Sequence, residues 1–236
     1  MKALKKFNRI KWLFWLCLAV FGTVCMSHAV CHAAEDMQIP QSIVDKSVIT
    51  VKNFMSDPDM TWLQRNIKNA KGLIIVPELL KAGFVLGGSG GNGVLLVRDE
   101  KTGLWSEPAF YSIGSVSFGL QIGAQKSELI MLVMTRKGLE SMYTSSFKLG
   151  ADASVAAGPV GVGAAARGLT ADVISFARTK GAFAGLSLEG AVIKTGNKSN
   201  RAYYGKDVRP VDIFVTRSVT NPGSSVLRSE VRQAAR

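Results

Sequence analysis

From residue 35 to its last residue, the sequence contains no cysteine and no histidine. The three cysteines and two histidines of the 236-residue chain all lie in its first 34 residues, at Cys17, Cys25, Cys31, His28 and His32. Without that segment the chain has no thiol or imidazole nucleophile, no Ser-His-Asp triad, no disulfide framework and no usual zinc ligands. The remaining acid candidates are Asp99, Glu100, Glu107, Glu128, Asp152 and Glu189. Their spacing singles out no pair for glycoside hydrolysis, so we expect no catalytic residue, metal or cofactor.

The first 34 residues have the layout of a secretory signal peptide. Five basic residues in positions 2–11 precede the apolar run WLFWLCLAVFGTV (12–24), and small residues follow in CMSHAVCHAA (25–34). This order is typical of a cleaved leader, and we predict a cut after Ala33 or Ala34. An uncleaved N-terminal anchor is the alternative, because residues 12–31 approach the roughly 20 residues of a membrane span. We expect an exported protein, periplasmic or peripheral to the cell envelope.

A positive charge persists in the predicted mature chain, which starts at residue 35. It retains 24 Lys and Arg against 17 Asp and Glu, a net charge of +7 compared with +12 for the whole sequence. Such a surplus favours anionic partners, phospholipid headgroups above all. Export, and the lack of a basic stretch with interleaved aromatic residues, argue against nucleic acid.

Hydrophobic periodicity predicts an α+β fold. Segments 41–55, 61–70 and 136–143 have helical spacing, and we expect the first two to pack on the core. Short apolar or alternating runs predict strands at 72–76, 83–87, 93–98, 116–124, 128–134, 182–193 and 211–215. We expect N-terminal helices packed on a mainly antiparallel, curved or barrel-like sheet over residues 35–216. Residues 217–236 are expected to form a basic, flexible tail, with a short basic helix through Arg228, Arg232 and Arg236 as the alternative.

The segment GGSGGNG (87–93) places Gly88, Gly90 and Gly93 on the G-x-G-x-x-G spacing of dinucleotide-binding loops. Such a loop must open a helix, whose free N–H groups meet the pyrophosphate. Here the strand-like sequence VLLV (94–97) follows at once. We therefore predict a loop between two antiparallel strands, in which the glycines adopt positive φ.

Five stretches in order resemble the SYLF domain family, which occurs alone in exported bacterial proteins and fused to SH3 or FYVE modules in eukaryotes. They are KGLIIVPELLKAGFVLGGSGGNGVLLVR (71–98), GLWSEPAF (103–110), GLQIGAQKSELIMLV (119–133), KLGADASVAAGPVG (148–161), and GAFAGLSLEGAVI with NRAYYG (181–193 and 200–205). The sequence departs from the usual pattern at Phe176, Ala182 and Glu128. The resemblance implies a lipid-binding module, with phosphoinositide binding in eukaryotic members and actin association in some fungal ones.

The candidate headgroup site lies in the acid-free stretch KTGNKSNRAYYGK (194–206), which we interpret as a loop. Its cations are Lys194, Lys198, Arg201 and Lys206. Arg178 and Lys180 add to the site if the fold brings them near, and Tyr203 and Tyr204 are candidates for the membrane interface. Trp105 is either a third interfacial residue or, as we favour, packed under a turn. The predicted function is non-enzymatic binding of anionic phospholipid. The alternative is an adaptor that binds another envelope protein through its glycine-rich sheet.

Overall fold

The computed structural model describes residues 38–83, 86–118, 123–161, 170–179, 182–183 and 188–236. Within it, residues Pro40–Arg236 fold together as one unit. The predicted signal peptide lies outside the described residues. In the described ranges, no helix combines the length and apolar composition needed to cross a bilayer.

Two N-terminal helices confirm the first helical predictions. Helix α1 spans residues 38–56, a 3₁₀ turn covers Pro58–Met60, and α2 covers Thr61–Asn66 with a second 3₁₀ turn at Ile67–Asn69. The Asp57 side chain accepts a hydrogen bond from the backbone N–H of Asp59 and so starts the new turn after α1. Val44, Val51 and Phe54 of α1 are almost completely buried. Both helices therefore pack on the core, as their spacing predicts.

Four long antiparallel strands form the centre of a curled sheet. They are β1 (Gly72–Gly83), β2 (Leu86–Val97), β3 (Ala109–Phe118) and β4 (Gly123–Val133). Five shorter strands complete it: β5 (Ser146–Lys148), β6 (Val155–Ala157), β7 (Val173–Thr179), β8 (Ala182–Phe183) and β9 (Val192–Thr195). The order is β5-β9-β3-β2-β1-β4-β7-β6, with β8 also paired to β7. Only β6 and β7 pair in parallel among these, so the predicted α+β class and mainly antiparallel sheet are confirmed.

Four strand predictions were wrong in their limits or type. Segment 182–193 includes β8, a turn at residues 189–190 and the start of β9. Segment 83–87 spans the end of β1 and the start of β2, and segment 116–124 spans the end of β3 and the start of β4. Segment 211–215 belongs to a helix, α5 (Pro210–Phe214). Pro210 occupies its first turn, and the Asp212 carboxylate accepts from the backbone N–H of Arg209 at 2.9 Å. These local start signals outweigh the alternating pattern of only five residues.

The remaining helices are α3 (Arg136–Ser141), α4 (Asn197–Tyr204) and α6 (Ser225–Ala234). Helix α3 confirms the prediction for 136–143. Helix α6 corrects the predicted flexible tail, because Leu227 and Val231 are fully buried. Spaced four residues apart, they place one apolar face of α6 against the domain.

Both faces of the sheet are covered with apolar side chains. On one face, Leu73, Ile75 and Val94 pack with residues of α1, α2 and α6. On the other, Ile74 and Leu95 pack with a second cluster that includes Ile213, Phe214 and Phe147. The alternation of side chains along β1 and β2 supplies both cores.

The glycine-rich segment is part of β2 and not a loop, which corrects our prediction. Its residues pair with β1 and β3, and none of its glycines has positive φ. The glycines are needed for close approach instead. The register of β1 shifts between Ile75 and Glu78, and a Cβ at Gly93 would lie 2.3 Å from the Ile75 carbonyl oxygen. A Cβ at Gly91 would lie 2.5 Å from the Glu78 carbonyl oxygen, so the bulge leaves no room for a side chain at either position.

Candidate functional site

The predicted basic loop is instead the end of a strand followed by a helix. Lys194 lies in β9, while Lys198 and Arg201 lie in α4. The helix ends at Gly205, whose φ of 69° is the left-handed conformation that glycine adopts without strain. Asn and Ser in this stretch suggested a loop, yet the segment is long enough to form two helical turns.

Two residues fix the orientation of α4 on the domain. The Asn200 side-chain oxygen accepts a hydrogen bond of 2.8 Å from the backbone N–H of Phe110, and its amide group donates to the Phe110 carbonyl. Tyr203, three residues later, packs edge to face on the Phe110 ring with centroids 5.0 Å apart. Since Asn200 and Tyr203 occupy the buried face, Lys198 and Arg201 lie on the exposed one.

The structure therefore presents four predicted cations to solvent from one short region. Lys194, Lys198, Arg201 and Lys206 are all exposed. Arg201 lies 3.3 Å from Asp207, and both side chains are more than two-thirds exposed, so this pair is weak. Lys206 donates to the Ser218 carbonyl at 3.2 Å. No carboxylate of the described residues lies within ion-pair distance of Lys194 or Lys198. We call these four residues the β9–α4 cationic surface.

Trp105 and Tyr203 are buried and Tyr204 is partly buried, which corrects the predicted interfacial role of the two tyrosines. Trp105 and Tyr203 are each 2% exposed. The Tyr204 hydroxyl donates to the Pro108 carbonyl at 2.5 Å, and its ring packs edge to face on Tyr203. Burial raises the pKa of both tyrosines above the usual range. Aromatic residues beside cations suggested a membrane anchor, but Tyr203 belongs to the core and Tyr204 packs against it. Trp105 is buried in the same core, which agrees with the packed position that we favoured.

Arg178 is not part of the β9–α4 cationic surface. It lies in β7, and four strands separate β7 from β9 in the sheet order. Its Nε is 2.9 Å from Asp57 and its Nη1 is 3.2 Å from Glu128, so two carboxylates balance its charge. Lys180, the other residue predicted to join the site, lies outside the described residues.

A second charged site lies between α1 and the sheet. A cleft of about 310 Å³ is lined by residues of α1, β1, β4 and β7, namely Lys46, Ile49, Thr50, Asn53, Pro77, Glu78, Lys126, Ser127, Glu128 and Arg178. Its volume is at the lower end of the range for small-molecule sites. We call it the α1 cleft.

Two carboxylates of the α1 cleft are held very differently. Glu128 accepts from Asn53 at 2.8 Å, from Thr50 at 3.1 Å and from Arg178, so it is fixed on several sides. The Oε1 atom of Glu78 lies 2.8 Å from Lys126 Nζ and 3.0 Å from Lys46 Nζ. Hydrogen bonds from these two lysines lower the pKa of Glu78. Arg178 is balanced by Glu128 and Asp57, whereas two lysines share the single carboxylate Glu78, so the positive surplus of the cleft lies around Glu78.

Sequence reasoning did not find the α1 cleft. Lys46, Glu78 and Lys126 are far apart in the chain, and each alone is an ordinary charged residue of an amphipathic segment. Only the pairing of β1 with β4, which places Leu80 opposite Lys126, and the position of α1 over them bring the three together. The one available signal was Pro77 within an apolar strand, since proline in a central strand indicates a bulge.

The described side chains form no cluster of metal ligands. Within these ranges, no group of three or more His, Cys, Asp or Glu residues is placed to hold a metal ion. The carboxylates Glu78, Glu107 and Glu128 are each engaged by cations. The arrangement is suited to attracting and holding an anion.

Comparison with known proteins identifies similar chains. The family model Ysc84, described as "Las17-binding protein actin regulator", matches residues 114–234, which is just over half of the chain. An SH3 domain-containing protein of Schizosaccharomyces pombe is 36% identical over 148 residues, covering 60% of this chain and 34% of its own length.

Two further relatives show the same partial coverage. LAS seventeen-binding protein 3 of Saccharomyces cerevisiae is 35% identical over 59% of this chain and 31% of its own length. The human SH3 domain-containing YSC84-like protein 1 is 33% identical over 66% of this chain and 46% of its own length. The chain thus spans about a third to a half of these relatives.

Proposed function

Because this chain belongs to the Ysc84 family, the SYLF family that its sequence resembles, we propose that it is a non-enzymatic module that binds anionic phospholipid. The observation that carries the proposal is the β9–α4 cationic surface. Asn200 and Tyr203 hold α4 so that Lys198 and Arg201 face outward, with Lys194 and Lys206 at its two ends. The fold thus supplies a rigid support for four exposed cations.

The magnitude of this attraction suits reversible attachment. Each basic residue near an anionic surface contributes about 1 kcal/mol, so four contribute about 4 kcal/mol. That is a weak, salt-sensitive interaction, of the order of a millimolar dissociation constant. Trp105 and Tyr203 are buried, and the Tyr204 hydroxyl is bonded to the Pro108 carbonyl, so we attribute the attachment to attraction of headgroups.

We infer that this binding takes place after export, at the cell envelope. The basis is the leader-like pattern of the first 34 residues. Its test is N-terminal sequencing of the protein recovered from cell fractions. We expect a chain that starts at or next to residue 35, and recovery of the intact N-terminus in the cytosol would refute the assignment.

Vesicle flotation tests the lipid proposal. Protein starting at residue 35 is mixed with phosphatidylcholine vesicles that contain or lack an anionic phospholipid, at low and at high salt. We expect flotation with the anionic vesicles at low salt, and loss of it at high salt, because the Debye length falls from about 10 Å at 0.1 M to about 3 Å at 1 M. No flotation with anionic vesicles at low salt would exclude lipid binding.

Protein binding is a second candidate, favoured by the relatives' names and by one exposed surface. LAS seventeen-binding protein 3 is named for a protein partner. In this chain, Leu80 of β1 and Val116 of β3 lie on either side of the glycine-rich strand β2 and are 58% and 77% exposed. Strand β2 pairs on both sides, so a partner would contact it through this face and not through a strand edge. A Val116→Lys variant that loses an envelope-protein partner in crosslinking, but still floats with anionic vesicles, would support this candidate over the first.

A further inference from the structure

The α1 cleft contains two lysines that converge on one oxygen atom. Lys46 Nζ lies 3.0 Å and Lys126 Nζ lies 2.8 Å from Oε1 of Glu78. The lysines come from α1 and β4, and the carboxylate comes from β1. Three separate elements thus build one oxyanion position, occupied in this structure by a side chain of the protein itself.

Glu78 is held loosely enough to be displaced. Its side chain is 39% exposed, and those of Lys46 and Lys126 are 49% and 53% exposed. Ion pairs between groups that are this exposed to solvent are weak, so their exchange for a ligand costs little. The neighbouring Glu128 is different, because bonds from Thr50, Asn53 and Arg178 fix it.

We propose that the α1 cleft binds a phosphate group between Lys46 and Lys126, in the position taken by Oε1 of Glu78. A phosphate monoester carries nearly two charges and three acceptor oxygens at neutral pH, so it satisfies both ammonium groups better than one carboxylate oxygen does. Ile49 and Pro77 in the lining provide apolar contact for the carbon atoms of the ester. A lipid headgroup and a soluble phosphomonoester share this chemistry.

This site is distinct from the β9–α4 cationic surface. Its lysines lie in α1 and β4, and β4 is separated from β9 by three strands in the sheet order. The proposed surface attracts a membrane through summed charge, whereas the cleft holds one phosphate group through two directed ammonium donors. The two can therefore be removed independently.

To test this proposal, protein starting at residue 35 is titrated with glycerol 3-phosphate at low salt. Binding is measured by calorimetry and by amide NMR. We expect saturable binding, with shifts at residues lining the cleft. Lys46→Gln and Lys126→Gln should each weaken it severalfold, since each removes one charged hydrogen bond to the phosphate group. Lys52→Gln, on the same helix but outside the cleft, is the matched control and should leave the affinity unchanged.

The Glu78→Gln variant makes the test independent of folding. Removal of the competing carboxylate should strengthen glycerol 3-phosphate binding severalfold, an increase that misfolding cannot produce. Weaker or unchanged affinity of Glu78→Gln would overturn the proposed position.

A parallel titration with phosphatidylcholine vesicles containing phosphatidic acid separates the two phosphate sources. Binding of both probes, each weakened by Lys126→Gln, shows that the phosphate group suffices, and binding of the vesicles alone identifies a headgroup in a membrane. If neither probe responds to Lys46→Gln or Lys126→Gln, the cleft is not a phosphate site. A Lys194→Glu/Lys198→Glu variant should retain glycerol 3-phosphate binding, so failure of the surface proposal is distinguishable from failure of this one.

Discussion

Arg228 Nη1 lies 2.8 Å from Oε1 of Glu107, a carboxylate whose side chain is only 8% exposed. The other Glu107 oxygen accepts from the Ser224 hydroxyl at 2.6 Å, and Arg228 Nε also donates to the Trp105 carbonyl. These bonds join Ser224 and α6 to the 103–110 segment, which lies 117 to 123 residues earlier in the sequence. The C-terminal helix is thereby an integral part of the domain.

We predict that Arg228→Ala destabilises the domain by about 2–4 kcal/mol, because it leaves the nearly buried Glu107 carboxylate without its cation. Chemical denaturation at pH 7 measures the change. Arg232→Ala, an exposed arginine one turn later on the same helix, is the control and should change the free energy of unfolding by less than about 0.5 kcal/mol. Equal effects of the two variants would show that the pair does not hold α6.

We predict that Gly93→Ala destabilises the domain by about 3 kcal/mol or more, since its Cβ would lie 2.3 Å from a backbone oxygen in the central strands. Gly90→Ala is the matched control. The nearest atom to its Cβ would be 3.7 Å away, so we expect little loss of stability. Thermal unfolding of both variants measures the difference, and tolerance of Gly93→Ala would contradict the close approach at the bulge.

Asp172 should contribute to stability only above acid pH. A hydrogen bond from the Thr135 hydroxyl, at 2.5 Å, and those from Ser154 lower the pKa of Asp172 in the folded state. The unfolded state then binds the proton more tightly, so this stabilisation is present above the unfolded pKa of about 3.9 and is lost as pH falls through the lower folded value.

The corresponding variant is Asp172→Asn, which we expect to cost about 1–2 kcal/mol at pH 7. The difference from the unmodified protein should shrink as pH falls below about 4. Urea unfolding at a series of pH values measures it, with the 78%-exposed Asp207 changed to Asn as the control. A difference that stays constant down to pH 2 would contradict the role of the charge.

The fold class and the order of most elements could be predicted from sequence, because the spacing of apolar residues in a long segment shows which of its side chains are buried. The stripe of α1 and the run 128–134 are examples. The limits of the strands could not be predicted, because the apolar patterns of 83–87 and 116–124 continue from the end of one strand into the start of the next. The helix at 210–214 has a strand-like alternation, and only the start signal of Pro210 with Asp212 distinguishes it.

The candidate site was predicted in part, for a physical reason. Lysine and arginine side chains usually lie at the surface, so a cluster of them in the sequence predicts an exposed cationic region. The four basic residues of the β9–α4 cationic surface are exposed, as this rule predicts. Composition does not show which side of a helix faces the core, and Tyr203 was therefore misplaced. Arg178 was misplaced because its partners, Asp57 and Glu128, are distant in sequence and meet it only in the folded chain.

The central claim is that the β9–α4 cationic surface binds anionic phospholipid. The most direct measurement is the partition coefficient of the Lys194→Glu/Lys198→Glu variant on anionic vesicles at low salt, beside Lys68→Glu/Lys101→Glu, which has the same net charge and reverses two exposed lysines elsewhere. Loss of two cations removes about 2 kcal/mol, so we predict a decrease of roughly 30-fold or more for the first variant and less than about threefold for the second. Equal partition of the two variants would contradict the account.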